Sequence, residues 1–107
     1  MIGTLRHPRL VRVFRRSRLK RELVFALLGR ESVYLAQAAR AIGSDVRRVR
    51  WLLFGHMPQY VPGDGLVPLG LARVSLDARG RPLVELTPRG RVVARAMRRR
   101  IHTKRGT

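Results

Sequence analysis

The chain of 107 residues has no cysteine and no asparagine, only two lysines (Lys20 and Lys104), six acids and few aromatic residues. Without cysteine there is neither a disulfide nor a thiolate metal ligand. The three histidines, His7, His56 and His102, are scattered, and no two carboxylates stand at catalytic or metal-ligand spacing. A glycine-rich phosphate loop is missing as well. Gly63-Asp64-Gly65 has no following lysine and does not bridge a strand to a helix. The chain is therefore expected not to be an enzyme and to need no cofactor or metal. No apolar run approaches the ~18–20 residues of a membrane span. The basic start followed by apolar residues resembles a signal peptide only superficially. Basic residues continue through Arg21, Glu22 follows, and the uninterrupted run Leu23 to Leu28 is too short for a signal core. These absences point to a cytoplasmic protein with no membrane partner.

What is present is positive charge. Twenty-four Lys+Arg stand against six Asp+Glu, a net +18, and 22 of the cations are arginine. Residues 1–21 hold eight of them and no acid, and residues 89–107 hold another eight and no acid. The stretch between is nearly balanced, at +2. Such self-repulsion is ordinarily offset by a polyanion whose counterions are released on binding. Arginine forks onto phosphates and guanine edges better than lysine does. A GC-rich genome also raises arginine, and arginine without asparagine fits a heat-adapted source. With 45% hydrophobic residues the chain is expected to fold.

Hydrophobic spacing orders the elements. Pro8 suits the first position of a short helix in which Leu10, Val13 and Phe14 share a face. Ser17 is the expected N-cap of a second helix with Leu19, Leu23, Ala26 and Leu27 inward and Gly29 as its stop. Ser32 is expected to cap a third, Val33 to Ala41, broken by Gly43. Ser44 is expected to cap a fourth, Asp45 to about Phe54. Residues 55–65 are turn-rich and read as a loop, and Leu66 to Leu71 as a helical turn. Two strands, Leu71 to Leu76 and Pro82 to Leu86, flank Asp77-Ala78-Arg79-Gly80-Arg81, a hairpin connection with glycine at a positive-φ position. Thr87-Pro88 opens the last helix, with Val93, Met97 and Ile101 on its core face.

The spacing around Gly43 is that of a helix-turn-helix. Ala39, four residues before, is small where two helices cross. Ile42, Val49 and Leu52 face the core. Arg47, Arg48 and Arg50 then share about one outward turn. Against a merely solvated basic face, three guanidiniums so close point to DNA or RNA contact, with Ser44 at the N-terminal turn able to approach phosphate. Trp51 reads better as packing than as a stacking platform. Arg79 and Arg81 lie at the hairpin tip, where they could reach a backbone or a minor groove, or could simply solubilise a turn.

Val84-Glu85-Leu86-Thr87-Pro88-Arg89-Gly90-Arg91 resembles the L-T-x-x-G start of the last helix in many winged-helix regulators. Ala39 to Gly43 before an arginine-rich helix looks like their turn. Tyr60 to Leu71, ending Leu66-Val67-Pro68-Leu69-Gly70-Leu71, is similar to the Y…S-L-V-x-L-G-L passage of archaeal winged-helix proteins, with Gly65 where that pattern has serine. The likeness covers roughly residues 18–101. It implies an α+β winged helix-turn-helix, a hairpin wing and a C-terminal helix, with duplex DNA bound by residues 44–54 and 76–82. The linker at 55–65 and the two cationic ends depart from the pattern, which weakens the case for sequence-specific repression and adds weight to a chromatin-like or RNA role.

The resulting expectation has a basic arm at 1–16, a winged-helix domain at 17–101 and a basic tail at 102–107. Double-stranded DNA is the expected partner, for a transcription regulator or nucleoid-associated protein. The contacting residues are Ser44, Arg47, Arg48, Arg50, Arg79 and Arg81, with Arg15, Arg16 and Arg18 adding phosphate contacts from the arm. The rival is a ribosomal or other structured-RNA-binding protein, whose basic extensions order on RNA. The Leu10, Val13, Phe14 face offers a further choice: it either docks on a second copy to make a homodimer or covers its own core.

Overall fold

A computed structural model describes residues 8–55 and 65–106, with side chains described for 10–55 and 65–99. Among these residues the chain forms five α-helices and a three-stranded antiparallel sheet, a small α+β fold.

Helix α1 spans Pro8–Arg16. Leu10, Val13 and Phe14 are all at most 6% exposed, so this face is occupied by the chain's own core. Ser17 Oγ accepts the Lys20 amide at 3.1 Å and caps α2, Arg18–Leu28, as its place in the sequence predicts. Arg21 Nη1 donates to the Phe14 carbonyl at 2.6 Å. That satisfies one of the carbonyls left open at the end of α1 and ties the two helices together. Helix α2 buries Leu23, Val24, Leu27 and Leu28 and ends at Gly29. Leu19 and Ala26, expected on the inner face, are half-buried.

The predicted third helix begins two residues late. Val33–Tyr34 is a short strand, β1, and α3 is Leu35–Ala41. Val33 faces Val84 and Tyr34 faces Leu83 on the last strand. That strand's free backbone edge recruits the two residues from helix into sheet, a tertiary demand that local pattern does not reveal. Ser32 accordingly does not cap. Instead Gln37 Oε1 accepts the Tyr34 amide at 2.9 Å.

Helix α3 buries Leu35, Ala38 and Ala39 and closes at Gly43. The Ser44 amide donates to the Ala39 carbonyl at 2.9 Å and the Gly43 amide to the Arg40 carbonyl at 3.2 Å. This pair of bonds is a Schellman closure, and it places Gly43 at φ +65°, where a side chain would be strained. With Ser44 committed to that turn, the cap of the next helix falls one residue later than its sequence position suggests. Asp45 Oδ1, not Ser44, accepts the Arg48 amide at 2.8 Å and starts α4, Val46–Phe54. Val49, Leu52 and Leu53 are its buried side.

Beyond α4 the chain returns at Gly65. The amides of Leu66 and Val67 donate to the carbonyls of Leu52 and Leu53 at 3.1 and 2.8 Å, so the far end of α4 is closed by the incoming segment. Residues 56–64, most of the loop read from the sequence, lie outside the described residues. The turn at 66–70 buries Leu66 and Leu69 and leads into β2, Ala72–Leu76, and then β3, Pro82–Leu86. The sheet order is β1-β3-β2, with Val74 opposite Val84. Gly80 in the connection has φ +79°, as predicted.

Thr87 sets the last helix, α5, Pro88–Gly106. Its Oγ1 accepts the Gly90 amide at 3.0 Å and donates to the Gly70 carbonyl at 2.6 Å, while its own amide donates to the Leu71 carbonyl at 3.1 Å. Gly90 lies against the same residue, and a Cβ there would overlap the Leu71 carbonyl oxygen. The two ends of the T-x-x-G pattern thus make one joint. Val93, Ala94 and Met97 are buried beneath α5, against α2 and β3. The described core contains no buried polar or charged residue. No helix among the described residues is long and apolar enough to cross a membrane.

Candidate nucleic-acid interface

The Schellman turn at Gly43 fixes α4 across α3, and burial of Val49 at 0% and Leu53 at 0% fixes its rotation. Arg47, Arg48 and Arg50 are consequently exposed. Ser44 is half-buried within the turn, and Asp45 is exposed as the cap. Trp51, half-buried, does more than pack. The guanidinium carbons of Arg47 and Arg48 lie 5.1 and 5.5 Å from its ring centroid. One indole thus collects two cations, from positions three and four residues before it, at separations where the attraction of a cation for a ring face is felt. A ring so placed restricts where the two guanidiniums, planar forks of donors suited to phosphate or guanine, can lie.

The hairpin tip is organised around a carboxylate. Asp77 Oδ1 accepts the amides of Arg79 and Arg81, both at 2.8 Å, and Asp77 Oδ2 accepts the Arg81 Nε at 2.9 Å and the Tyr34 hydroxyl at 2.8 Å. An aspartate bonding a backbone amide two residues on is a common way to close a turn. The Arg81 guanidinium lies 4.7 Å from the Tyr34 ring centroid, and its Nη2 donates to the Tyr34 hydroxyl at 3.2 Å. These donors hold the Asp77 carboxyl well below its ordinary value, at about 2. The Arg81 amide contributes most and the Tyr34 hydroxyl next. Tyr34 is pushed the other way, because its hydroxyl proton is held by Asp77. Arg81 therefore helps to build the tip while staying exposed, and the Arg79 side chain is exposed beside it. At the base of the hairpin, Arg73 pairs with Glu85 across the strands at 2.8 Å.

Arg15 and Arg16 are exposed in the last turn of α1, where a helix C-terminus favours cations. Arg18 is exposed at the start of α2 and pairs with Glu22 at 2.9 Å. Three groups result. Arg47, Arg48 and Arg50 share α4. Arg79 and Arg81 share the hairpin, where the Arg81 side chain also bonds Asp77 and Tyr34. Arg15, Arg16 and Arg18 sit at the junction of α1 and α2. Tyr34 links the first two groups, because it clamps the tip and directly precedes α3, the helix on which α4 packs.

Sequence reasoning missed Tyr34 and Asp77. Asp77 carried a signal, an aspartate opening a glycine-containing turn. Tyr34 carried none, since its partner is 43 residues away. No group of three or more His, Asp or Glu placed to hold a metal occurs among the described residues.

The family model described as EarA-like matches residues 10–97, from the first helix well into the last. No curated protein and no solved structure matches the chain.

Proposed function

We propose that this chain, which belongs to the EarA-like family, is a winged helix-turn-helix protein that binds double-stranded DNA as a transcription regulator or nucleoid-associated protein. The observation that carries this reading is α4. It is the second of two helices joined by a tight glycine turn, and it turns Arg47, Arg48 and Arg50 away from the core on one face. A helix presented in this way fits the major groove, where arginine reads guanine at ~1–3 kcal/mol per good bidentate pair. The order helix, short strand, two helices, hairpin, with β1 on the outer side of β3, supports the same reading. The hairpin then serves as the wing, with Arg79 as its phosphate contact and Arg81 as its brace. Arg15, Arg16 and Arg18 add sequence-independent contacts to phosphate.

Structured RNA is the second reading, and the cationic ends of the sequence favour it. Fluorescence anisotropy with a mixed-sequence DNA duplex and a structured RNA of equal length, each titrated with salt, separates the two. Tighter DNA binding that survives rising salt is the expected result. Preference for RNA overturns the DNA assignment. The double substitution Arg47→Ala, Arg50→Ala is expected to weaken duplex binding by about 2–6 kcal/mol, since two base-directed side chains are removed. Unchanged affinity would mean that α4 is not the reading helix.

A further inference from the structure

We propose that the outer face of α5 is a second duplex-binding surface, so that one chain holds two DNA segments together. The proposal rests on the assignment of the first segment to α4.

Gly90, Val93, Ala94 and Met97 are the buried side of α5. At 3.6 residues per turn, Arg91, Arg95 and Arg98 fall within an arc of about 60° that flanks the buried side rather than standing opposite it. Arg95 and Arg98 are exposed and Arg91 is half-buried. Residues 86–107 contain no acid. The acids on the two elements packed against α5 are already engaged: Glu22 of α2 with Arg18, and Glu85 of β3 with Arg73. Among the described residues, no carboxylate pairs with Arg91, Arg95 or Arg98.

Cations at spacings of three and four along a helix repel one another. A helix dipole favours cations only in the last turn and opposes them near the start, where Arg91 lies. Neither helix stability nor the internal ion pairs account for this stripe, whereas an external polyanion does. The three side chains span ~10 Å of helix axis at 1.5 Å per residue. A duplex offers a charge every ~1.7 Å, so each arginine has a phosphate within reach. The surface is separate from the first. Helix α4 packs on α3, while α5 packs on α2 and β3, and α4 and α5 share no extended contact.

The test uses the full chain and two short duplexes of one sequence, one carrying a donor dye and the other an acceptor. Wild type is expected to give energy transfer between duplexes and to take up two duplexes per chain by analytical ultracentrifugation. The triple variant Arg91→Gln, Arg95→Gln, Arg98→Gln is expected to lose the transfer and take up one duplex. Its salt slope for the two-duplex state is expected to fall by about 3, at ~0.9 per phosphate. A control with equal loss of charge, Arg12→Gln, Arg30→Gln, Arg40→Gln, should keep the transfer. All the substituted residues are on the surface or half-buried, and circular dichroism melting checks the fold.

Absence of transfer in wild type overturns the proposal. Transfer that persists in the triple variant does so too, and points to bridging by two copies through α4. Equal loss in the control reduces the effect to net charge and likewise overturns it. The Arg47→Ala, Arg50→Ala variant reports separately on α4. If it still takes up two duplexes, the α4 assignment fails. If wild type takes up one duplex and this variant none, only the α5 proposal fails.

Discussion

At the scale of single residues, backbone contacts set sharper demands than surface charges. Gly90 has no room for a methyl group, because the Leu71 carbonyl occupies the space. Gly90→Ala is expected to destabilise the fold by about 2–3 kcal/mol or to prevent folding, the scale of an overpacked site that can yield only by moving backbone. A melting temperature unchanged from wild type would refute the close approach. Asp77 makes a different demand. Its carboxyl is held at about 2 in the folded chain against an ordinary 3.8. A carboxylate whose value is lowered by folding contributes stability that is fully present above its unfolded value and is lost as pH falls through the folded one. Melting temperature should therefore carry a component that declines between about pH 4 and pH 2 in wild type and is missing in Asp77→Asn. Identical pH profiles for the two proteins would contradict the proposed network.

At the scale of elements, the hairpin separates two arginines that the sequence treats alike. Arg79→Ala is expected to leave melting unchanged and to lower the salt slope of duplex binding by about 1, the signature of one lost phosphate contact. Arg81→Ala is expected to lower the melting temperature by freeing the tip from Tyr34 and Asp77. Equal effects in the two variants would remove the distinction. The same element shows where local pattern suffices. Both strand segments, Gly80 at positive φ and Thr87 as the cap follow from alternation and turn chemistry, which act within a few residues. One misread element depends on distant partners. Val33 and Tyr34 are strand because Val84 and Leu83 pass beside them. The cap was misread by one position within a local turn: Ser44 belongs to the Schellman closure of α3, and its neighbour Asp45 caps α4. In the candidate interface, the three arginines of α4 were legible from their spacing. The double use of Trp51 and the bracing role of Arg81 were not, since each depends on where a ring lies in space.

At the scale of the whole molecule, a net charge of +18 sits on a core that buries no charged residue among those described. Cohesion and attraction for a polyanion are therefore largely separate properties, the first apolar and the second spread over the surface. Deleting residues 1–9 and 102–107 should lower affinity for all duplex sequences alike and flatten the salt dependence, while the ranking among sequences set by α4 stays. A changed ranking would show that the ends take part in reading bases. Helix α4 itself is anchored at both extremities: at its start by the Gly43 turn and the Asp45 cap, and at its finish by the amides of Leu66 and Val67. Such a helix keeps its aim whatever lies between its end and the returning chain. Doubling the length of a connection costs only about 0.6 kcal/mol in closure entropy. The stretch from 56 to 64 is thus a place where evolution can insert or delete residues while α4 stays in register.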